Sequence, residues 1–167
     1  RGLVEALLAL PLVLPPTVLG YYLLVALGAS SPVGQLWQAL FGRPMVFSFE
    51  ALLVASVIAN VPFAVQPMVQ AFRAIPSEVR EAAAVSGMAP GTVLRRIDLP
   101  LAWPGIVTGM ILTFAHTLGE FGVVLMVGGS IPGETRTLSI AIYDRVQAFD
   151  DRGAGIMSAV LMAVSVA

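Results

Sequence analysis

Residues 75–100 read IPSEVREAAAVSGMAPGTVLRRIDLP, a polar interval between two strongly apolar runs, and this interval decides how the chain is laid out. It carries Arg80, Arg95 and Arg96, with Arg73 just upstream: four of the nine basic residues, all nine of which are arginine. The stretch predicts two short helices joined at a glycine. Ser77 suits an N-cap, and Glu78 and Glu81 lie in the first turns, where the helix dipole favours negative charge. Ala82-Ala83-Ala84 is a strong helix former. Gly87 suits the C′ position of the first helix, and Pro90 the first position of the second. That second helix runs through Val93-Leu94-Arg95-Arg96 and closes at Leu99-Pro100. Such an interval has structure of its own and is suited to docking rather than tethering.

The composition says what surrounds it. The 167 residues are 57% hydrophobic and 11% charged, and the mean hydropathy is +0.90. A soluble domain carries about 25% charge. Too few polar groups are present to cover the surface in water, so lipid is the solvent over much of the chain. With no cysteine, disulfides, thiolate metal sites and Cys nucleophiles are excluded. A single histidine, His116, excludes a His-based metal cluster. The net charge of −1 includes no basic block for nucleic acid.

Upstream of the interval, Met45 to Phe72 is an apolar span with Asn60, Pro62, Gln66 and Pro67 in its second half. Polar residues beside prolines in lipid face protein or water. They serve either interhelical hydrogen bonds or a pore lining. Further upstream, Leu3 to Gly28 forms another span. Its Pro11, Pro15 and Pro16 predict a kinked or broken helix, and Tyr21 and Tyr22 mark a membrane interface or a packed site. Between these spans, Ser30-Ser31-Pro32 and Gly42-Arg43-Pro44 are turn signals around a short interfacial helix, Val33 to Phe41.

Downstream, Leu101 to Val127 predicts a third span. Thr113, His116, Thr117 and Glu120 recur at i, i+3, i+4, i+7, which puts them on one helical face. Glu120 would sit about 10 Å inside the far end. A carboxylate there is costly and by default suggests function; a Glu held by neighbouring donors, or a span ending earlier at Gly119, is the plainer alternative. Gly128 to Gly133 is a turn. Glu134 to Arg152 is polar, with an amphipathic piece through Leu138, Ile142, Val146 and Phe149. A fourth span begins near Gly153. The first residue is Arg1, and the apolar run 154–167 is shorter than the about 20 residues a span needs, so the expectation is a chain truncated at both ends.

If Phe72 to Pro100 is cytoplasmic, residues 29–45 and 128–152 lie outside. Arginines number five inside (1, 73, 80, 95, 96) and four outside (43, 136, 145, 152), so charge alone hardly orients the chain. No GxxxxGK[ST] is present to cradle ATP phosphates, and no Ser/His/Asp arrangement emerges. The expectation is a chain with no catalytic residue, no metal site and no cofactor of its own.

The interval resembles the EAA loop of permease subunits of ABC importers: Glu-Ala-Ala, three residues, Gly, nine residues, Ile, one residue, Leu-Pro. Glu81-Ala82-Ala83, Gly87, Ile97 and Leu99-Pro100 match that spacing. Leu14 to Gly20 (LPPTVLG) and Thr117 to Gly122 (TLGEFG) resemble the molybdate, sulfate and tungstate group of these permeases. Val127-Gly128-Gly129 and Ile131 to Leu138 (IPGETRTL) are most similar to the molybdate branch.

The resemblance implies an all-α polytopic membrane bundle of the type I importer permease kind, with about four spans here, as a single transmembrane domain over 1–167 with a cytoplasmic coupling loop at 73–100. It implies that Arg80, Glu81, Ala82, Ala83, Gly87, Ile97, Leu99 and Pro100 dock an ATP-binding subunit, which would supply ATP and Mg. An extracytoplasmic oxyanion-binding protein and a second permease copy are the other implied partners, in a bacterial or archaeal cell inner (plasma) membrane. Arg43, Arg136, Arg145 and Arg152 would pair with acids of the binding protein or stay solvated. Asn60, Gln66, Thr113, Thr117 and Glu120 are candidates for a translocation path or gate. The function implied is molybdate import, with sulfate or tungstate as alternatives. An ion-coupled carrier using His116 and Glu120 as a proton relay is more remote.

Overall fold

A computed structural model describes residues 2–166, and every regular element among them is helical. In order these are α1 (Gly2–Val13), α2 (Pro16–Leu27), α3 (Pro32–Phe41), α4 (Phe49–Arg73), α5 (Ser77–Val85), α6 (Pro90–Val93), a π turn (Leu94–Asp98), α7 (Leu99–Gly119), α8 (Gly122–Gly128), α9 (Leu138–Gln147) and α10 (Asp151–Val166).

Of the four expected spans, two are unbroken helices long and apolar enough to cross a bilayer: Phe49–Arg73 and the 30-residue run Pro90–Gly119. The pair α2 and α3, bent by 56°, makes a third if counted as one broken span. The expected first span is divided, as its prolines predicted. Leu14 and Pro15 each precede a proline, which disfavours helical backbone, and Pro15 sits in extended conformation between α1 and α2. Tyr21 and Tyr22 are both exposed and stay outside the core of this chain. The final helix, α10, has 16 residues.

Two compact units divide the chain. The first comprises residues 1–60 and 115–167. Its core joins Leu19 and Leu27 of α2, Met45, Ala51, Ala55 and Ala59 of α4 and its approach, and Val123 and Val127 of α8. A second cluster joins Leu52, Val124 and Ile140. The interfacial helix α3 forms for local reasons. Ser31 accepts the Gly34 N–H at 2.9 Å, Pro32 occupies the first turn, and Gly42 ends the helix at φ +70°. At the other end, Asp150 accepts the Gly153 N–H at 2.9 Å and pairs with Arg145, fastening the α9–α10 turn.

The second unit, residues 61–114, holds the second half of α4, the polar interval and most of α7. Its helices meet on small residues. A Cβ added at Gly105 would stand 2.2 Å from Ala71 Cβ and 3.0 Å from Pro67 O, and one at Gly109 would stand 2.8 Å from Ala64 O. Gly105 and Gly109 form a GxxxG pair, which lets helix backbones approach closely in lipid. In the sequence alone each of these glycines, within an apolar run, resembles a tolerated defect; only the packing shows what the pair does.

Two local expectations are corrected. Ser77 is the first helical residue of α5 rather than its cap; Pro76 takes the N-cap position, with φ −58° and ψ 142°, and gives no side-chain cap. Nor do Leu99 and Pro100 close the second helix. The Leu99 N–H bonds to Leu94 O, five residues back, so the helix widens into a π turn before Pro100 and continues into α7. Proline lacks an N–H and crowds the preceding turn; a wider turn ahead of it lets the helix run on.

Candidate functional site

The polar interval is a helix, a sharp reversal and a second helix entry. At the end of α5 the Gly87 N–H bonds to Ala84 O at 3.0 Å and the Met88 N–H to Ala83 O at 3.1 Å. This is the Schellman pair of bonds. Gly87 has φ +72°, a region that costs other L residues about 1–2 kcal/mol. A Cβ built on it meets nothing within 4 Å, so the position opens outward.

The alanine run is divided between two faces. Ala82 and Ala84 are exposed with Glu81, whereas Ala83 is buried. The thin face offered outward is therefore Glu81, Ala82, Ala84 and Val85, the last 91% exposed. Helical spacing turns Ala83 inward with Val79, which the run of three identical residues concealed. Ile97 is half-buried, and Leu99 and Pro100 are exposed. Arg80 is engaged inside the interval: its Nε donates to Asp98 Oδ1 at 2.9 Å and an Nη to Phe72 O at 3.2 Å. It ties α5 both to the end of α4 and to the π turn. No periodicity in the sequence announces an ion pair eighteen residues apart.

A second polar constellation lies in the first unit. α7 ends at Gly119, so Glu120 occupies the break before α8 rather than a helix interior. Its side chain is buried, and Oε1 accepts the Val123 N–H at 3.2 Å, capping the first turn of α8. His116 Nδ1 stands 3.7 Å from Glu120 Oε2 and 3.0 Å from Asn60 Oδ1. Asn60 is buried in α4 and donates to Ser56 O at 2.7 Å. His116 thus stands between α4 and the α7–α8 break. An open cleft of about 640 Å³ beside it is lined by Pro16, Thr17, His116, Gly119, Glu120 and Phe121 among others.

Of the residues expected along a path, Asn60 and Glu120 are brought together through His116, and the Thr117 carbonyl accepts the Glu120 N–H at 3.3 Å. Gln66 and Thr113 fall in the second unit; Gln66 is half-buried, and Thr113 Oγ1 donates to Gly109 O at 2.7 Å. The bridging role of His116 was not legible from helical spacing, because Asn60 is 56 residues away.

Three of the four arginines expected outside have acids within the chain. Arg43 pairs with Glu50 at 2.6 Å, which holds its guanidinium above the ordinary value, chiefly through that hydrogen bond. Arg136 lies 3.4 Å from Asp144, and Arg145 pairs with Asp150.

Comparison with known proteins decides the family. Residues 1–167 match the family described as the binding-protein-dependent transport system inner membrane component. The chain belongs to this family. Among its relatives, a molybdenum transport system permease protein, ModB, of Azotobacter vinelandii is 50% identical over 150 residues, covering 90% of this chain and 66% of that protein. A putative molybdenum transport system permease protein of Bacillus subtilis is 42% identical, covering 83% of this chain and 61% of the relative. A probable sulfate transport system permease protein of Chlorella vulgaris is 30% identical, covering 99% of this chain and 62% of the relative. The chain therefore spans 61–66% of the length of these relatives. The all-α, apolar architecture agrees with the expected permease fold.

Proposed function

We propose that this chain is the permease subunit of an ATP-driven importer for molybdate, in the inner (plasma) membrane of a bacterium or archaeon. The observation that carries the transport role is the exposed face of α5, closed by Gly87 at positive φ and braced by Arg80 and Asp98. Such an element transmits force when a separate ATPase grips it. Glu81, Ala82, Ala84 and Val85 supply the contact face; Arg80 and Ala83 hold its shape; Ile97, Leu99 and Pro100 carry the movement into α7. ATP and Mg reside on the ATPase. Its closure moves the loops of two permease copies together, and the attached helices tilt between inward- and outward-facing states.

Residues 29–45 and 128–152 then face the extracytoplasmic binding protein. Arg43, Arg136 and Arg145 each pair with an acid of this chain and remain part-exposed, so they meet the binding protein as members of those pairs or stay solvated. Asn60, His116, Thr117 and Glu120 beside the cleft act at a gate. A carboxylate repels an oxyanion, so Glu120 serves there as the cap of α8 rather than as an oxyanion ligand. Gln66 and Thr113 contribute polar groups to the path from the second unit.

Support for the cargo comes from the relatives, molybdenum transport proteins at 50% and 42% identity against a sulfate transport protein at 30%. Sulfate or tungstate is the second reading. The test is uptake by the full-length permease reconstituted with its ATPase and binding protein. Molybdate uptake that persists in excess sulfate and stops without ATP is expected. Complete competition by sulfate would overturn the cargo, and ATP-independent uptake would overturn the class.

A further inference from the structure

Four arginines lie in the polar interval and its approach, and they do not share one role. Arg80 is bound to Asp98, and Arg73 has interactions of its own. Arg95 and Arg96 have no ion pair or hydrogen bond among the described residues, although Asp98 lies three and two residues away; Asp98 pairs with Arg80 instead. Both sit on the π turn, a wide turn that is rare in proteins and recurs at functional sites. Together with Ala89, Gly91 and Thr92 they line a cleft of about 410 Å³. The Thr92 hydroxyl is likewise without a hydrogen bond among the described residues, and the space above Gly91 is open.

We propose that this cleft binds a phosphate group, and that the phosphate is the headgroup of an anionic phospholipid. Two guanidiniums match a phosphate in charge and in fork geometry, and Thr92 offers a hydroxyl donor. Position supplies the lipid. The same helix becomes apolar from Leu99, and Leu99, Leu101 and Trp103 are all exposed. Trp103 lies about 12 Å along the axis from Arg95, and tryptophan collects at the membrane interface. The cleft therefore stands at headgroup depth where the polar interval enters the bilayer. A lipid held there fixes the π turn, and through Asp98 and Arg80 it steadies α5. The proposal rests on the membrane reading and is independent of the cargo.

The test uses the intact full-length permease, purified in detergent without its ATPase, and its thermal unfolding. Short-chain phosphatidylglycerol should stabilise the protein, whereas short-chain phosphatidylcholine and inorganic phosphate at equal concentration should not. Arg95→Gln with Arg96→Gln should weaken the phosphatidylglycerol response roughly thirtyfold, the expectation for two arginines near an anionic surface. Arg95→Lys with Arg96→Lys keeps the charge and should retain most of the response, which separates lost binding from lost folding. Equal protection by inorganic phosphate would overturn the lipid source. An undiminished response in the glutamine variant would overturn the site. If that variant instead keeps its lipid response but loses the ATPase in co-purification, these arginines serve the ATPase and the proposal fails.

Discussion

Arg80 and Asp98, eighteen residues apart, meet at 2.9 Å and close the polar interval into a braced loop. Asp98 is the more buried partner, with 13% of its side chain accessible against 44% for Arg80. Part-exposed pairs of this kind contribute about 0.2–1 kcal/mol, so the brace matters more for geometry than for global stability. Arg80→Ala should leave the melting temperature nearly unchanged, speed amide exchange in α5 and lower ATP-coupled uptake. A double-mutant cycle with Asp98→Ala should show the two changes to be non-additive. Additive losses in uptake would remove the brace from the mechanism.

Gly87 separates a backbone requirement from a contact requirement. Gly87→Asn tolerates positive φ better than a β-branched residue does, so Asn should fold well where Val loses about 1–2 kcal/mol. Gly87→Trp adds bulk into open space and should block the ATPase while leaving the permease in the membrane. Co-purification of the ATPase with each variant reads this out, and normal ATPase coupling in the Trp variant would sink the docking assignment.

Gly105 and Gly109 set the approach of α7 to α4 within the second unit. Gly109→Leu meets the backbone oxygen of Ala64, which cannot move away as a flexible side chain can. Over-packing costs typically about 1–3 kcal/mol. The variant should accumulate poorly and melt early, whereas Gly155→Leu, at an open position, should melt like the parent. Equal melting of all three proteins would show that the close approach is unimportant.

Glu120 is read as a cap. Glu120→Gln keeps an oxygen for the Val123 N–H and should retain most stability. Glu120→Ala leaves that N–H without its acceptor and should cost about 1–3 kcal/mol. If Gln lowers transport as far as Ala does, the carboxylate charge facing His116 is what the gate uses.

Asp150 gives the α9–α10 turn a dependence on pH. The Gly153 N–H, and then Arg145, hold its carboxyl below the ordinary range. A depressed carboxyl contributes stability that is present above the unfolded value, near pH 4, and is lost as pH falls through the folded value. Local protection of residues 149–153 from amide exchange, corrected for intrinsic rates, should decline only at acid pH. In Asp150→Asn that decline should be absent, with protection lower at neutral pH.

Much was decided by sequence alone. Lipid as solvent follows from composition, because polar groups too scarce to cover a surface are scarce in any fold. The polar interval, its glycine reversal and the first-turn Pro90 follow from backbone chemistry that acts within a few residues. So do the break at Pro15 and Pro16 and the short helix α3. Tertiary structure decided what depends on direction and on distant partners. Ala83 turns inward while Ala82 and Ala84 face out, because helical rotation separates chemically identical neighbours. Arg80 belongs to Asp98, and His116 to Asn60 as well as Glu120, because folding joins residues that share no period. The helix passes Pro100 through a π turn, and Glu120 caps a new helix instead of lying inside an old one. Local propensity marked both places as interruptions, and only the packed chain determined whether each would end the helix or let it continue.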